Sequence, residues 1–215
     1  MDPTAPRFPS RRLLIAAALA AWPAQGLAQP RRVITILGDS ITAGYGLPAS
    51  AALPVQLQAQ LRKLGSNALV RGAGVSGDTT AGGLARVDFS VQRDTDVCLV
   101  ALGGNDLLQG IDPKRTQANL DKIVARLKAR KIGVVLAGLA PPPVIGRAYA
   151  RDFQAVFPTV AKAQGVALYP NLLAGVSQQP RLNQRDGFHP NAQGVAVIAQ
   201  GLAPVLVKAL SGRRA

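Results

Sequence analysis

The sequence predicts an α/β domain: a three-layer α/β/α arrangement on a five-stranded parallel sheet. Five short apolar runs alternate with longer segments of helical periodicity, the pattern of parallel strands joined by right-handed crossovers. The apolar runs carry little polar alternation, as strands covered by helices on both faces should. At 215 residues, 48% hydrophobic and 17% charged, the chain is long enough for one domain with a sizeable core, and its composition is neither disordered nor fibrous.

The first run, Val33-Ile34-Thr35-Ile36-Leu37, ends in Gly38-Asp39-Ser40. Short β-forming runs bounded by glycine read as buried strands. A serine at such an end projects over the C-terminal edge of the sheet, where open α/β folds place their ligands. A helix beginning there would add free N–H groups and a favourable dipole beside Ser40. The competing reading is that Asp39 and Ser40 only cap that helix.

Leucines 53, 57, 61 and 64 keep helical spacing within Ala51 to Leu64, and Gly65-Ser66-Asn67 ends the helix. Ala68-Leu69-Val70 is a short second strand, and residues 72–80 form a glycine-rich loop. Thr79 or Thr80 caps a helix running to about Val87. The third strand spans Asp96 to Leu102 and runs into Gly103-Gly104-Asn105-Asp106, followed by an amphipathic helix from Thr116 to Arg130. Ile132 to Leu139 is the fourth strand, and Ala140-Pro141-Pro142-Pro143 forbids further pairing. A helix from Tyr149 to Gln164, a strand at 166–169, a polar loop from Asn171 to Pro190 and a helix from Asn191 to Leu210 complete the chain. Strand order does not follow from these patterns.

Residues 1–28 read as a cleavable signal peptide preceding the folded domain at 29–215. Arg7, Arg11 and Arg12 form a basic start, Leu13 to Ala21 an apolar centre, and Gly26-Leu27-Ala28 a small-residue cleavage site. The apolar centre is too short to span a bilayer, so an exported, periplasmic or secreted protein is expected. The single cysteine, Cys98, sits in an apolar strand and reads as a buried thiol. All 11 acids are Asp, set against 25 Lys and Arg, for a net charge of +14. The basic residues are scattered with little aromatic interleaving, which argues against a nucleic-acid partner and leaves peripheral contact with an anionic membrane surface open.

Strand ends select the chemistry. Ser40, Gly77, Asn105 and His189 all fall in loops after strands. His189 is the only histidine, so any imidazole base near neutral pH must be this one. Asp186, three residues earlier, can turn back onto its ring and stabilise the imidazolium. Asn105 offers a side-chain N–H, Gly77 and Ser40 backbone N–H groups, for an oxyanion. The alternatives are a turn or cap role for Asn105 and Asp106, and a left-handed turn position for Gly77.

Gly38-Asp39-Ser40-Ile41, Val75-Ser76-Gly77-Asp78-Thr79, Gly103-Gly104-Asn105-Asp106 and Asp186-Gly187-Phe188-His189 resemble, in order, the four sequence blocks of the SGNH (GDSL) hydrolases. The wording is most similar to their periplasmic arylesterase, acyl-CoA thioesterase and lysophospholipase branch. That resemblance implies a flavodoxin-like fold and a metal-free serine hydrolase with broad activity on esters and thioesters. A monomer without cofactor, taking a small ester, thioester or lysophospholipid substrate, is expected. It assigns Ser40 as nucleophile, His189 as base, Asp186 as its partner, and Ser40, Gly77 and Asn105 as the oxyanion hole. Ile41 replaces the family's leucine conservatively. A carbohydrate O-acetylesterase shares the four blocks, but few aromatics are present to stack on sugars. Gly72-x-Gly74-x-x-Gly77 also matches a dinucleotide fingerprint, although it follows the second strand and Asp96 begins a strand where a ribose-binding acid should end one. One His, one Cys and no Glu make a poor metal-ligand set.

Overall fold

The computed structural model describes residues 31–141 and 145–212. The leader at 1–28 lies outside them. Five parallel strands form one sheet: β1 (Val33–Gly38), β2 (Leu69–Gly74), β3 (Val97–Ala101), β4 (Gly133–Ala137) and β5 (Ala167–Tyr169), in the order β2-β1-β3-β4-β5. This is the flavodoxin-like order. The chain steps outward from β1 to β2, then crosses back to β3 on the other side of β1. The crevice at that reversal, above the β1 carboxyl end, is where such sheets hold ligands. Ser40 stands there.

Seven α-helices lie among the described residues: α1 (Ser40–Ala43), α2 (Leu53–Lys63), α3 (Thr80–Ser90), α4 (Gly104–Leu108), α5 (Pro113–Ala129), α6 (Arg147–Gln164) and α7 (Ala192–Ser211). α2 packs with α7, whereas α3 packs with α5 and α5 with α6, so the sheet is covered on both faces. Every residue of β1 and β3 is buried, which explains why neither strand alternates in polarity. α7 is long and apolar enough to cross a membrane, yet Val195, Ile198, Ala199, Leu202, Ala203 and Leu206 are buried in the core.

Helix starts follow local chemistry. α5 begins three residues before the expected Thr116, because the Asp112 carboxylate accepts from the Lys114 N–H and Pro113 occupies the first helical position. Thr79, the predicted cap, accepts from Gly82 N–H, and the helix continues to Ser90. Asn191 is a cap and not the first helical residue, its side chain accepting from the N–H groups of Gln193 and Gly194.

Two expectations are corrected. β2 does not stop at Val70. It continues through Gly72 and Gly74, paired in register with Ile36 and Gly38. These glycines serve close packing. A Cβ on Gly72 would lie 2.7 Å from Pro54, and one on Gly74 would lie 2.4 Å from the backbone nitrogen of Ala43. With two of its three glycines inside a strand, the dinucleotide fingerprint has no phosphate-cradling loop to form. The helix after Ser40 is a single turn of four residues, too short for the macrodipole invoked from the sequence to develop.

Candidate active site

The expected site residues are placed by β1, β2, β3 and the loop before α7. Asp39 caps α1, its Oδ1 accepting from the Ile41 N–H at 3.0 Å. The cap reading therefore applies to Asp39, which leaves the Ser40 side chain available. Ser40 Oγ lies 2.9 Å from His189 Nε2, and His189 Nδ1 lies 2.7 Å from Asp186 Oδ2. Asp186 Oδ1 accepts the N–H groups of His189 at 3.0 Å and Phe188 at 2.9 Å.

These bonds settle the charge state of the acid. The backbone N–H of His189 is the largest influence, and together with that of Phe188 and the ring it holds the Asp186 carboxyl down to about 2. Hydrogen bonds donated to a carboxylate favour its ionised form. An ionised carboxylate only accepts, so the ring proton sits on Nδ1, and Nε2 is left to accept the Ser40 hydroxyl hydrogen. Burial pushes the other nearby acid, Asp39, up to about 6, against the Ile41 hydrogen bond and the charge of His189.

The histidine loop closes on itself. Gln184 N–H donates to the His189 carbonyl at 2.7 Å and Gly187 N–H to the Gln184 carbonyl at 3.0 Å, with an isolated antiparallel bridge between Asn183 and Pro190. The Gln184 amide also donates to the carbonyls of Tyr45, at 2.8 Å, and Pro190, at 3.1 Å, fastening the histidine loop to the serine loop. The Tyr45 ring sits 4.8 Å from the imidazole, centre to centre.

On the other side of Ser40, Gly77 has φ +83, a left-handed turn conformation that glycine adopts without strain. The turn is closed by Asp78 N–H donating to the Val75 carbonyl at 3.1 Å. Asn105 Nδ2 donates to the Asp78 carbonyl at 2.9 Å, which brings the third and second strand ends together. Asp106, next to Asn105, is a structural acid. Only 1% exposed, it accepts from Thr80 N–H at 2.8 Å, Thr80 Oγ1 at 2.5 Å and Thr116 Oγ1 at 3.2 Å.

Three residues were not found from the sequence: Arg86, Gln184 and, as a ring against the imidazole, Tyr45. Arg86 donates from Nε to Asp78 Oδ2 at 2.6 Å, from Nη1 to the Ala73 carbonyl at 2.9 Å, and from Nη2 to the Gly38 carbonyl at 2.8 Å. One signal was available. Arg86 lies three residues from Gly83 and one from Val87, both buried, so a helical projection puts a charge at the margin of the core face.

Known proteins resemble this chain in sequence and in fold. Residues 36–197 match the GDSL-like lipase/acylhydrolase family. The chain is 36% identical over 183 residues to an arylesterase of Vibrio mimicus, covering 85% of this chain and 92% of that one. It is 38% identical over 174 residues to thioesterase 1/protease 1/lysophospholipase L1 of Escherichia coli K12, covering 80% and 82%. The crystal structure of AlinE4, an SGNH-hydrolase family esterase, superposes with TM-score 0.70 at 42% identity, covering 84% of this chain and 97% of that one. The protein belongs to the GDSL-like lipase/acylhydrolase family.

Proposed function

We propose that this family member hydrolyses carboxylic esters and thioesters through an acyl-serine intermediate on Ser40. The observation that carries the reading is the unbroken hydrogen-bond chain from Asp186 through His189 to Ser40. His189 Nε2 takes the hydroxyl proton as Oγ attacks the acyl carbon, and the ionised Asp186 stabilises the imidazolium. The developing oxyanion is met by the backbone N–H groups of Ser40 and Gly77 and by the second Nδ2 hydrogen of Asn105. Such donors stabilise charge where it appears in the transition state. The imidazolium then protonates the departing alkoxide or thiolate. Water, deprotonated by the same nitrogen, cleaves the acyl-serine.

Ester hydrolysis is the activity of the group, and the finer substrate choice rests on what surrounds the serine. Each chain segment that carries a site residue also holds an exposed apolar side chain close by in sequence: Tyr45, Val75, Leu108 and Phe188. Apolar surface at the mouth of a site favours an acyl chain over a sugar, and supports lysophospholipids among the substrates. The leader supports export to the periplasm or beyond, and the surplus of basic residues supports transient contact of a monomer with anionic membranes.

The test is mass spectrometry of the mature protein after reaction with an organophosphonate, alongside hydrolysis of p-nitrophenyl acetate, butyrate and octanoate. A single adduct on Ser40, with activity lost in step, is expected. An active protein labelled elsewhere refutes the nucleophile assignment.

A further inference from the structure

We infer that Arg86 is a positioning residue for the oxyanion hole, holding both of its non-serine donors through Asp78. The inference rests on reading Gly77 and Asn105 as oxyanion donors. Arg86 lies on α3, and helical side chains lean toward the N-terminus of their helix, which here means toward the C-terminal edge of the sheet. Its guanidinium meets four groups. Nε donates to the Asp78 carboxylate, Nη2 to the last carbonyl of β1 at Gly38, and Nη1 to Ala73 near the end of β2 and to Ser90 Oγ at 3.2 Å. The Gly38 carbonyl also accepts the Val75 N–H at 3.1 Å. The Arg86 and Asp78 side chains are 17% and 14% exposed, so this is a sheltered pair and not a solvated one.

Asp78 connects the clamp to the chemistry. Its carboxylate is gripped by Arg86. Its N–H closes the turn that presents Gly77, and its carbonyl holds the Asn105 amide at 2.9 Å. The backbone immediately before the nucleophile turn, at Gly38, is held by the same guanidinium. One planar group thus sets the distance between the serine turn and the two donors facing it. An oxyanion hole works only with donors about 2.7–3.1 Å from the developing charge. A displacement of about 1 Å can cost around a hundredfold in rate. Lysine cannot replace this grip, because a single ammonium lacks the fixed fork that reaches a carboxylate and two carbonyls together.

The experiment is a double-mutant cycle in the mature enzyme with p-nitrophenyl butyrate, comparing Arg86→Met, Asn105→Ala and the double variant, with thermal melts of each. A role in positioning predicts that Arg86→Met lowers kcat by roughly tenfold to a hundredfold, with little change in KM. The same substitution in the Asn105→Ala background should cost less than it does in the wild-type background, because one of the two donors it holds is already gone and only Gly77 is left to lose its position. Arg86→Lys, which keeps the charge beside Asp78, should fall between wild type and Arg86→Met. If Arg86→Met does not fold, Arg86→Lys and Asp78→Asn carry the same cycle. A full multiplicative loss in the Asn105→Ala background, a change confined to KM, or an unchanged kcat in the folded variant each overturns the inference. An Asn105→Ala enzyme with normal kcat would instead overturn the oxyanion assignment on which it stands.

Discussion

Two acids near Ser40 are treated in opposite ways by their surroundings, and the difference predicts opposite pH behaviour. Asp186, lowered to about 2, contributes stability above its unfolded value and loses it only as pH falls through 2, so it stays ionised across any practical assay. Replacing it with Asn changes the ring tautomer and removes the charge that the Phe188 and His189 N–H groups favour. Asp186→Asn should lower kcat by up to about 10⁴ by serine-protease precedent, with only a modest fall in melting temperature because the carboxylate is partly solvated, as paired kinetics and calorimetry will show. Asp39 is raised from 3.8 to about 6 by burial. A raised carboxyl stabilises the fold below its unfolded value, and that contribution is lost as pH rises through 6, leaving a buried anion at pH 8. Asparagine retains the cap acceptor without the charge. Asp39→Asn should therefore raise unfolding free energy at pH 8, by up to about 3 kcal/mol, and have little effect at pH 4. Urea titrations at the two pH values decide it, and an equal effect at both rejects the assignment.

Between residues and fold, short elements are fixed by what they must pass or join. The Asp106 carboxylate of α4 receives hydrogen bonds from Thr80 at the start of α3 and Thr116 in α5, and so joins three elements behind the site. Asparagine there would turn one acceptor into a donor facing donors. Asp106→Asn should cost about 1–3 kcal/mol of stability, the penalty of an unsatisfied buried group, read as a lower urea midpoint. Gly74 in β2 shows the same logic for space. A Cβ would meet the backbone of the serine turn, 2.4 Å from Ala43 N and 2.8 Å from the Asp39 carbonyl. Gly74→Ala should destabilise by about 1–3 kcal/mol as overpacking, and turnover should fall with it because the displaced backbone carries Ser40. Normal turnover in that variant would show the turn to be more yielding than its packing implies.

For the whole molecule, charge is the property that no single site explains. With a net charge of +14 and no glutamate to dilute it, the protein should concentrate at anionic surfaces. Each basic residue near such a surface contributes about 1 kcal/mol, within a Debye length of roughly 10 Å at 0.1 M salt. Sedimentation with phosphatidylglycerol vesicles is expected at low ionic strength, with release by about 0.5 M salt. Binding that persists at high salt would point to apolar insertion by Tyr45, Leu108 and Phe188 in place of charge.

At the same scale, the sequence alone determined the fold class and the approximate strands and helices, and it supplied Ser40, Gly77, Asn105, Asp186 and His189 as the proposed site residues. Those properties are local. Unbroken apolar runs signal strands buried on both faces, and the chain has one histidine with an acid three residues before it. Tertiary structure decided the rest, because the rest depends on which distant segments become neighbours. The order β2-β1-β3 brings three strand ends around Ser40, and nothing in a linear pattern encodes that order. The glycines at 72 and 74 look like a loop until the chain packed against them is known. The sequence can put Arg86 at the margin of a helix's core face, but not beside the carbonyls of Gly38 and Ala73, because backbone carbonyls carry no sequence signature at all.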